Sequence, residues 1–228
     1  MRIGGVSAIV VVHWVCFYGS IKSSNISVAL LCFSAIGFLT ALMEPLIFRN
    51  RVDKIELLLG SLVILGIYLI FHFDPRYKTG IFTGLIAAFF GSIFPILNRK
   101  LLQRIPAQTL TLYELSGGFI FLTLLLPLYL HFFPTQYIFP HAMDWFWLII
   151  LSLVCTVLAF TLSMNALRKI SAFTVNLTYN LEPVYGIALA FLVYREDKYF
   201  SPGFYAGLLI IILSIVCQMM RMYGRRGQ

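Results

Sequence analysis

The chain has 228 residues, of which 60% are hydrophobic and only 11% carry a charged side chain, and its mean hydropathy is +0.90. Soluble domains carry about 25% charged residues, so this composition excludes a water-soluble globule. The net charge of +8 lies in short clusters between apolar stretches and not in a basic stripe interleaved with aromatics, which excludes nucleic acid as a partner. The partner that the composition predicts is the lipid bilayer.

Eight apolar runs follow one another, and each approaches the ~20 residues that a helix needs to cross a bilayer. Barrel strands alternate in ~10-residue segments, whereas these runs are continuous. Only helices satisfy every backbone group over such lengths in lipid. We therefore predict an all-α fold, a polytopic transmembrane helix bundle of about eight spans. The runs are Ile3–Ile21, Ile26–Phe48, Ile55–Phe73, Ile81–Leu97, Leu110–Phe132, Trp145–Leu167, Phe173–Tyr194 and Phe204–Met220.

Lysine and arginine are unevenly distributed between the loops. If alternate loops are assigned to opposite sides of the membrane, 12 of the 17 basic residues fall on one side and 5 on the other. The positive-inside rule places the richer side in the cytoplasm. We predict that both ends of the chain are cytoplasmic, with residues 222–228 as a basic cytoplasmic tail.

The cysteines and histidines show no metal-binding pattern. The four cysteines lie inside apolar runs without CxxC spacing, and the four histidines show no HExxH or similar spacing. We expect inert thiols and no bound metal. The residues are Cys16, Cys32, Cys155 and Cys217, and His13, His72, His131 and His141.

A weak internal repeat relates the two ends of the chain. An offset of 147 residues aligns Lys22 with Lys169 and brings runs one to three onto runs six to eight. Equivalent runs are five apart, so they cross in opposite directions, which is an inverted-topology repeat. We predict an incomplete first repeat of three helices at residues 1–73 and a second repeat of five helices at residues 81–221. By this alignment, two further helices are expected before residue 1.

The run around Phe173–Tyr194 is the most specific stretch of the chain. It carries a proline at its middle, Pro183, and ends next to an acidic residue, Glu196, before a glycine-bearing last run. With His13-Trp14 and Glu44–Phe48, this stretch resembles EamA-type transporters of the drug/metabolite transporter superfamily. The chain departs from that plan by lacking the first two helices and a mid-helix proline in run two.

The resemblance implies a fold of two inverted five-helix repeats, of which this chain supplies helices three to ten. It implies efflux or exchange of small metabolites at the bacterial inner membrane, without a cofactor. We expect alternating access around a central cavity lined mainly by run seven. A small-molecule metabolite is therefore the expected ligand. Whether the chain forms a homodimer is left open.

Run seven contains the best candidates for the substrate cavity. A charged side chain at a helix centre costs about 2.5–3.5 kcal/mol on insertion scales, so buried charges usually face a cavity or the bundle interior. At helical spacing the polar residues form a broad wall, and Pro183 frees a carbonyl near residue 179. A packed polar seam that never touches substrate is the structural alternative. The candidates are Asn176, Tyr179, Asn180, Glu182, Pro183 and Tyr185.

Glu114 and His13 are the candidates for coupling transport to protons, and Glu114 is also a candidate site for a substrate amine. Glu114 precedes Gly117-Gly118, which allow close helix approach, and a structural partner for an arginine is the alternative role. His13 is a candidate proton relay, with a hydrogen-bonded core histidine as the alternative. Glu44 is expected to form interfacial ion pairs, and Glu196-Asp197 is expected to be a solvated cap.

The function that these features predict is transport, and no catalytic group set is visible. Two alternatives stay open. One is a structural or assembly protein that transports nothing, for which alanine at Asn176, Tyr179 and Glu182 would be tolerated. The other is an intramembrane enzyme, which needs a nucleophile and base, paired carboxylates or metal ligands at one depth.

Overall fold

The computed structural model describes residues 3–49, 51–73, 75–132, 134, 139–179 and 181–226. Within these ranges the regular structure is entirely helical, which confirms the predicted all-α fold. The helices are α1 (Ile3–Ser23), α2 (Ile26–Phe33), α3 (Ile36–Phe48), α4 (Lys54–Phe73), α5 (Lys78–Leu101), α6 (Ala107–Phe132), α7 (Ala142–Ile150), α8 (Ala159–Leu167), α9 (Ala172–Tyr179), α10 (Glu182–Tyr194) and α11 (Pro202–Arg226). A π-helical segment, Leu151–Leu158, joins α7 to α8, and single 3₁₀ turns lie at Pro75–Tyr77 and Glu196–Tyr199.

Six helical stretches of the described chain are long and apolar enough to cross a membrane. A seventh helix, α4, follows the third apolar run with 20 residues. The seventh run differs from the prediction, because it forms two helices of 8 and 13 residues, each too short to cross alone. The six stretches are Ile3–Ser23, Ile26–Phe48, Lys78–Leu101, Ala107–Phe132, Ala142–Leu167 and Pro202–Arg221.

The chain divides into two compact units, and the first comprises Met1–Val11 and Leu97–Ser171. Here the start of α1 packs on α6 at two glycines. A Cβ added to Gly117 would lie 2.6 Å from the Ser7 hydroxyl oxygen, and one added to Gly118 would lie 3.3 Å from a methyl carbon of Val11. Small residues therefore allow close helix approach at this point. The later part of α6 and the whole of α7 expose large apolar side chains, as surfaces that face lipid do.

The second unit comprises Val12–Ile96 and Ala172–Gln228 and holds the larger core. Its closest helix pair is α4 with α11, where Gly66 and Gly207 face each other. A Cβ on either glycine would lie 2.8 Å or less from the carbonyl oxygen of the other. At one end of the pair, Arg221 of α11 donates two hydrogen bonds of 2.8 and 2.9 Å to Asp53, whose carboxylate also caps the first turn of α4.

Two interrupted helices lie antiparallel in the second unit. The first is α2–α3, which is broken at Ser34 and Ala35, and the second is α9–α10, which is broken before Glu182. The helix α2 packs on α10, and α3 packs on α9. Each of the two interrupted helices ends on an arginine in the left-handed conformation, Arg49 at φ 57° after α3 and Arg195 at φ 56° after α10. We refer to these elements below as the two broken helices.

Candidate functional site

The start of α9 is held by a carboxylate from the other broken helix. Glu44, on α3, is only 7% exposed and accepts hydrogen bonds from the backbone N–H groups of Ala172 at 3.3 Å and Phe173 at 2.7 Å. The first N–H groups of a helix have no partner within that helix, and the helix dipole favours a negative charge there. Glu44 therefore caps α9 across the contact between α3 and α9.

The start of α2 is held in the same way from the opposite direction. Glu196, just beyond α10, accepts hydrogen bonds from the backbone N–H groups of Ile26 at 3.2 Å and Ser27 at 3.0 Å, and from the Ser27 hydroxyl at 2.5 Å. Glu196 is 7% exposed, so the prediction of a solvated cap at this position is wrong. The carboxylate can be buried because its two oxygens accept hydrogen bonds from these three donors, as water would at an exposed position.

These two glutamates cap the two broken helices reciprocally. Because the helices are antiparallel, the Glu44 contact lies at one end of the pair and the Glu196 contact lies at the other. These reciprocal contacts were not predicted from the sequence. A carboxylate near the end of each broken helix, together with a serine or threonine near the start of the other, was the available signal.

Asn176 lies inside the contact between α9 and α3. It is fully buried, and its side-chain NH₂ donates a 2.7 Å hydrogen bond to the hydroxyl of Thr40, which in turn donates to the Ile36 carbonyl at 2.7 Å. This geometry is that of a polar seam between helices, the structural alternative for this residue. Thr40 was not among the predicted site residues.

The remaining candidates of the second broken helix lie on two faces that differ in exposure. Pro183 is buried at the second position of α10, where its missing N–H costs no hydrogen bond, so it begins a helix and does not lie within one. Glu182 and Tyr185 are exposed, and Tyr179 is partly buried. The structure therefore separates Asn176 and Pro183 from Glu182 and Tyr185. Asn180 lies outside the described residues.

Glu114 lies in a buried polar cluster of the first unit. Its side chain is 1% exposed, and one carboxylate oxygen accepts a 2.8 Å hydrogen bond from the side-chain NH₂ of Asn98. Thr111, one turn earlier on α6, is 4% exposed. The helices α5 and α6 bring Asn98 and Glu114 into contact, and Thr111 lies on the same face of α6 as Glu114. Asn98 was not predicted.

His13 lies in an aromatic surround in the second unit. Its Nδ1 is 2.8 Å from the carbonyl oxygen of Ala87, and since a carbonyl only accepts, Nδ1 carries the proton. The rings of Phe17, Phe33 and Phe94 have centroids 5.5 to 6.2 Å from the imidazole. This geometry favours the core histidine over the proton relay, which stays a prediction.

Comparison with known proteins gives the family. The model of the EamA-like transporter family matches residues 78–220, well over half of the chain. A protein of Synechocystis sp. described as an uncharacterized transporter is 28% identical over 138 residues. That match covers 58% of this chain and 37% of the relative, so the chain spans little more than a third of the relative's length.

A solved structure gives independent support for the fold. A crystal structure described only as that of a protein aligns with 93% of this chain and 73% of its own chain, at a TM-score of 0.64 and 14% identity. At that identity the likeness shows the fold alone. The resemblance noted in the sequence is confirmed by the family match. The chain belongs to the EamA-like transporter family and is a multi-pass membrane protein.

Proposed function

We propose that the protein moves small amine-bearing metabolites across the bacterial inner membrane, by efflux or exchange. The observation that carries this proposal is Glu182. It lies in the middle of an apolar run, and its side chain is exposed where the helix breaks. Because a charge at bilayer depth costs about 2.5–3.5 kcal/mol on insertion scales, such a carboxylate faces a water-filled cavity and not lipid.

The chemistry of the break favours a cationic group on the substrate. The carbonyl groups at the end of α9 carry the negative end of a helix dipole, and the Glu182 carboxylate adds a full negative charge nearby. No lysine or arginine occurs between Lys169 and Arg195. Tyr185, exposed and one turn beyond Glu182, adds a ring face that attracts ammonium groups.

The geometry of the two broken helices supports alternating access as the mechanism. Broken helices at a repeat interface commonly form the substrate site of secondary transporters. Separation at one end of the pair would break the contacts of Glu44 and leave those of Glu196 intact, and separation at the other end would do the reverse. In the proposed orientation, with both ends of the chain cytoplasmic, Glu44 lies at the cytoplasmic end of the pair.

A liposome efflux assay tests the proposal. The full chain is reconstituted into liposomes loaded with equal amounts of putrescine, lysine, glutamate and glucose, and the release of each compound is followed by mass spectrometry. We expect protein-dependent release of the two amine-rich compounds in preference to glutamate and glucose. Glu182→Gln should lower that rate about tenfold or more, since each 1.4 kcal/mol of lost interaction is tenfold.

The matched control is Ser34→Ala, at the break of the other broken helix, which should leave the rate unchanged. Release no faster than from protein-free liposomes would contradict the transport proposal. Equal rates for the wild type and Glu182→Gln would contradict the assigned site. Full activity with alanine at Asn176, Tyr179 and Glu182 would also argue against a cavity lined by the second broken helix.

A further inference from the structure

Three polar side chains of the first unit form a cluster that has more acceptor oxygens than donors. Asn98, near the end of α5, and Thr111 and Glu114, on one face of α6, are all at most 4% exposed. Within the cluster, the Asn98 side-chain NH₂ donates a 2.8 Å hydrogen bond to one Glu114 carboxylate oxygen. We call these three residues the Asn98 cluster.

Each member of the Asn98 cluster has one buried oxygen without a hydrogen-bond partner in the part of the chain that is described. These oxygens are the amide oxygen of Asn98, the hydroxyl oxygen of Thr111 and the second carboxylate oxygen of Glu114. Buried polar atoms are normally paired, and those that are not call for an explanation, such as a bound ion. Three such atoms on three adjacent side chains point to one shared ligand.

We propose that the Asn98 cluster binds a small monovalent cation of the sodium type. Carboxylate, amide and hydroxyl oxygens are the hard donors that alkali and alkaline-earth cations prefer. One carboxylate balances one positive charge, whereas a divalent ion would leave an excess charge in a buried place. Among the described residues, no lysine or arginine is buried, so the Glu114 charge has no buried basic partner there.

A proton on Glu114 satisfies the cluster less completely than a metal cation. Protonation of Glu114 adds one donor and the Thr111 hydroxyl is another, but no hydrogen bond joins any two of the three oxygens in the structure. A cation bound between the three side chains would instead be coordinated by oxygens that need not contact one another. Next to the cluster on α6, Gly117 lies close to Ser7, since a Cβ added to this glycine would be 2.6 Å from the Ser7 hydroxyl oxygen.

This inference deepens the proposed transport function, because a bound cation would couple transport to an ion gradient. Its test, however, does not need transport. The purified full chain in detergent is heated in NaCl, LiCl, KCl or choline chloride at equal ionic strength, and its melting temperature is followed. A ligand that binds only the folded state raises the melting temperature in a saturable way. We expect stabilisation by NaCl over choline chloride, and one ²²Na⁺ bound per chain.

The variants Thr111→Val and Glu114→Gln should each weaken Na⁺ binding about tenfold or more, as loss of groups at a metal site does. Thr123→Val, an exposed threonine on the same helix, is the matched control and should keep the wild-type response. If Glu114→Gln does not fold, the nearly isosteric Thr111→Val still decides the result.

The proposal is overturned if sodium stabilises no better than choline, or if both variants keep the wild-type response. It is also overturned if lowering the pH in choline chloride gives the full stabilisation without sodium, since the site would then bind only a proton. Sodium binding without any efflux would contradict the proposed function and leave the site standing. Efflux without sodium binding would do the reverse.

Discussion

The two broken helices have the same backbone design and different chemistry at the break. Both are interrupted midway, and both end on an arginine in the left-handed conformation. The first backbone N–H groups of each helix are capped by a glutamate that belongs to the other. In the first, the break is filled by Ser34 and Ala35, which are fully buried, and the Ser34 hydroxyl donates to the Leu31 carbonyl. In the second, the break exposes Glu182. The two broken helices therefore share a backbone design, and the second of them carries an exposed charge at its break.

The contacts along the pair differ as well. Where α3 meets α9, the link is the hydrogen bond between Asn176 and Thr40. Where α2 meets α10, Gly186 packs against the end of the Leu30 side chain. The α3–α9 contact, which we call the polar crossing, therefore depends on a directional hydrogen bond. The α2–α10 contact, which we call the apolar crossing, depends on the fit of apolar groups. Three substitution experiments measure how far the equivalence of the two helices extends.

Removal of the reciprocal caps should have the largest effect. Glu196→Ala is expected to lower the free energy of unfolding by about 3 kcal/mol and Glu44→Ala by about 2 kcal/mol, because they leave three and two donors without a charged acceptor. Unfolding in mixed micelles, followed by circular dichroism, measures both losses. Glu182→Ala is the control and should change stability by less than about 0.5 kcal/mol.

If Glu44→Ala and Glu196→Ala cost no more than the control, the caps do not stabilise the pair. Glutamine at either position keeps one acceptor oxygen and should restore part of the loss. A loss of stability at only one of the two positions would show that the two helices are not equivalent.

The polar crossing should show an intermediate effect. In a double-mutant cycle, Asn176→Ala and Thr40→Val are expected to have a coupling energy of about 1 kcal/mol, the typical net value of a hydrogen bond. The same unfolding assay measures it. Additive losses would mean that the two side chains do not interact, and Thr178→Val, at an exposed position of the same helix, serves as the control for α9.

The apolar crossing should be the least sensitive. Gly186→Ala is expected to cost less than about 1 kcal/mol, because the added methyl group meets the flexible end of Leu30, which can rotate away. Gly19→Ala, where a methyl group meets nothing within 4 Å, is the control and should be neutral or stabilising. A loss of several kcal/mol at Gly186 would show that Leu30 is fixed and that this crossing is as specific as the polar one.

Prediction from sequence succeeded where a property is local. The start of the first helix at Ile3 and the limits Ile26 and Phe48 agree with the structure, since continuous apolar runs in lipid have no alternative to helix. It was wrong at Glu196, whose exposure was inferred from its position in a loop. The partners of that carboxylate, Ile26 and Ser27, are about 170 residues away in sequence, so the sequence around Glu196 does not identify them.

The candidate site was predicted in part for the same reason. The polar residues of run seven were found from their spacing, yet that spacing assumed one continuous helix. That spacing put Asn176 and Pro183 on one face and Glu182 and Tyr185 on a neighbouring face, and the structure buries the first pair and exposes the second, although Pro183 begins a new helix. Whether these residues bind substrate stays a prediction.

The sequence by itself determined that this is a helical membrane protein, because composition and apolar length leave no other solution in a bilayer, and its resemblance to EamA-type transporters pointed to the family. Only the tertiary structure decided which carboxylates are buried, which helix starts they cap, and that Asn98 lies beside Glu114. Those facts depend on contacts between residues distant in the chain, and such contacts form only when the helices pack.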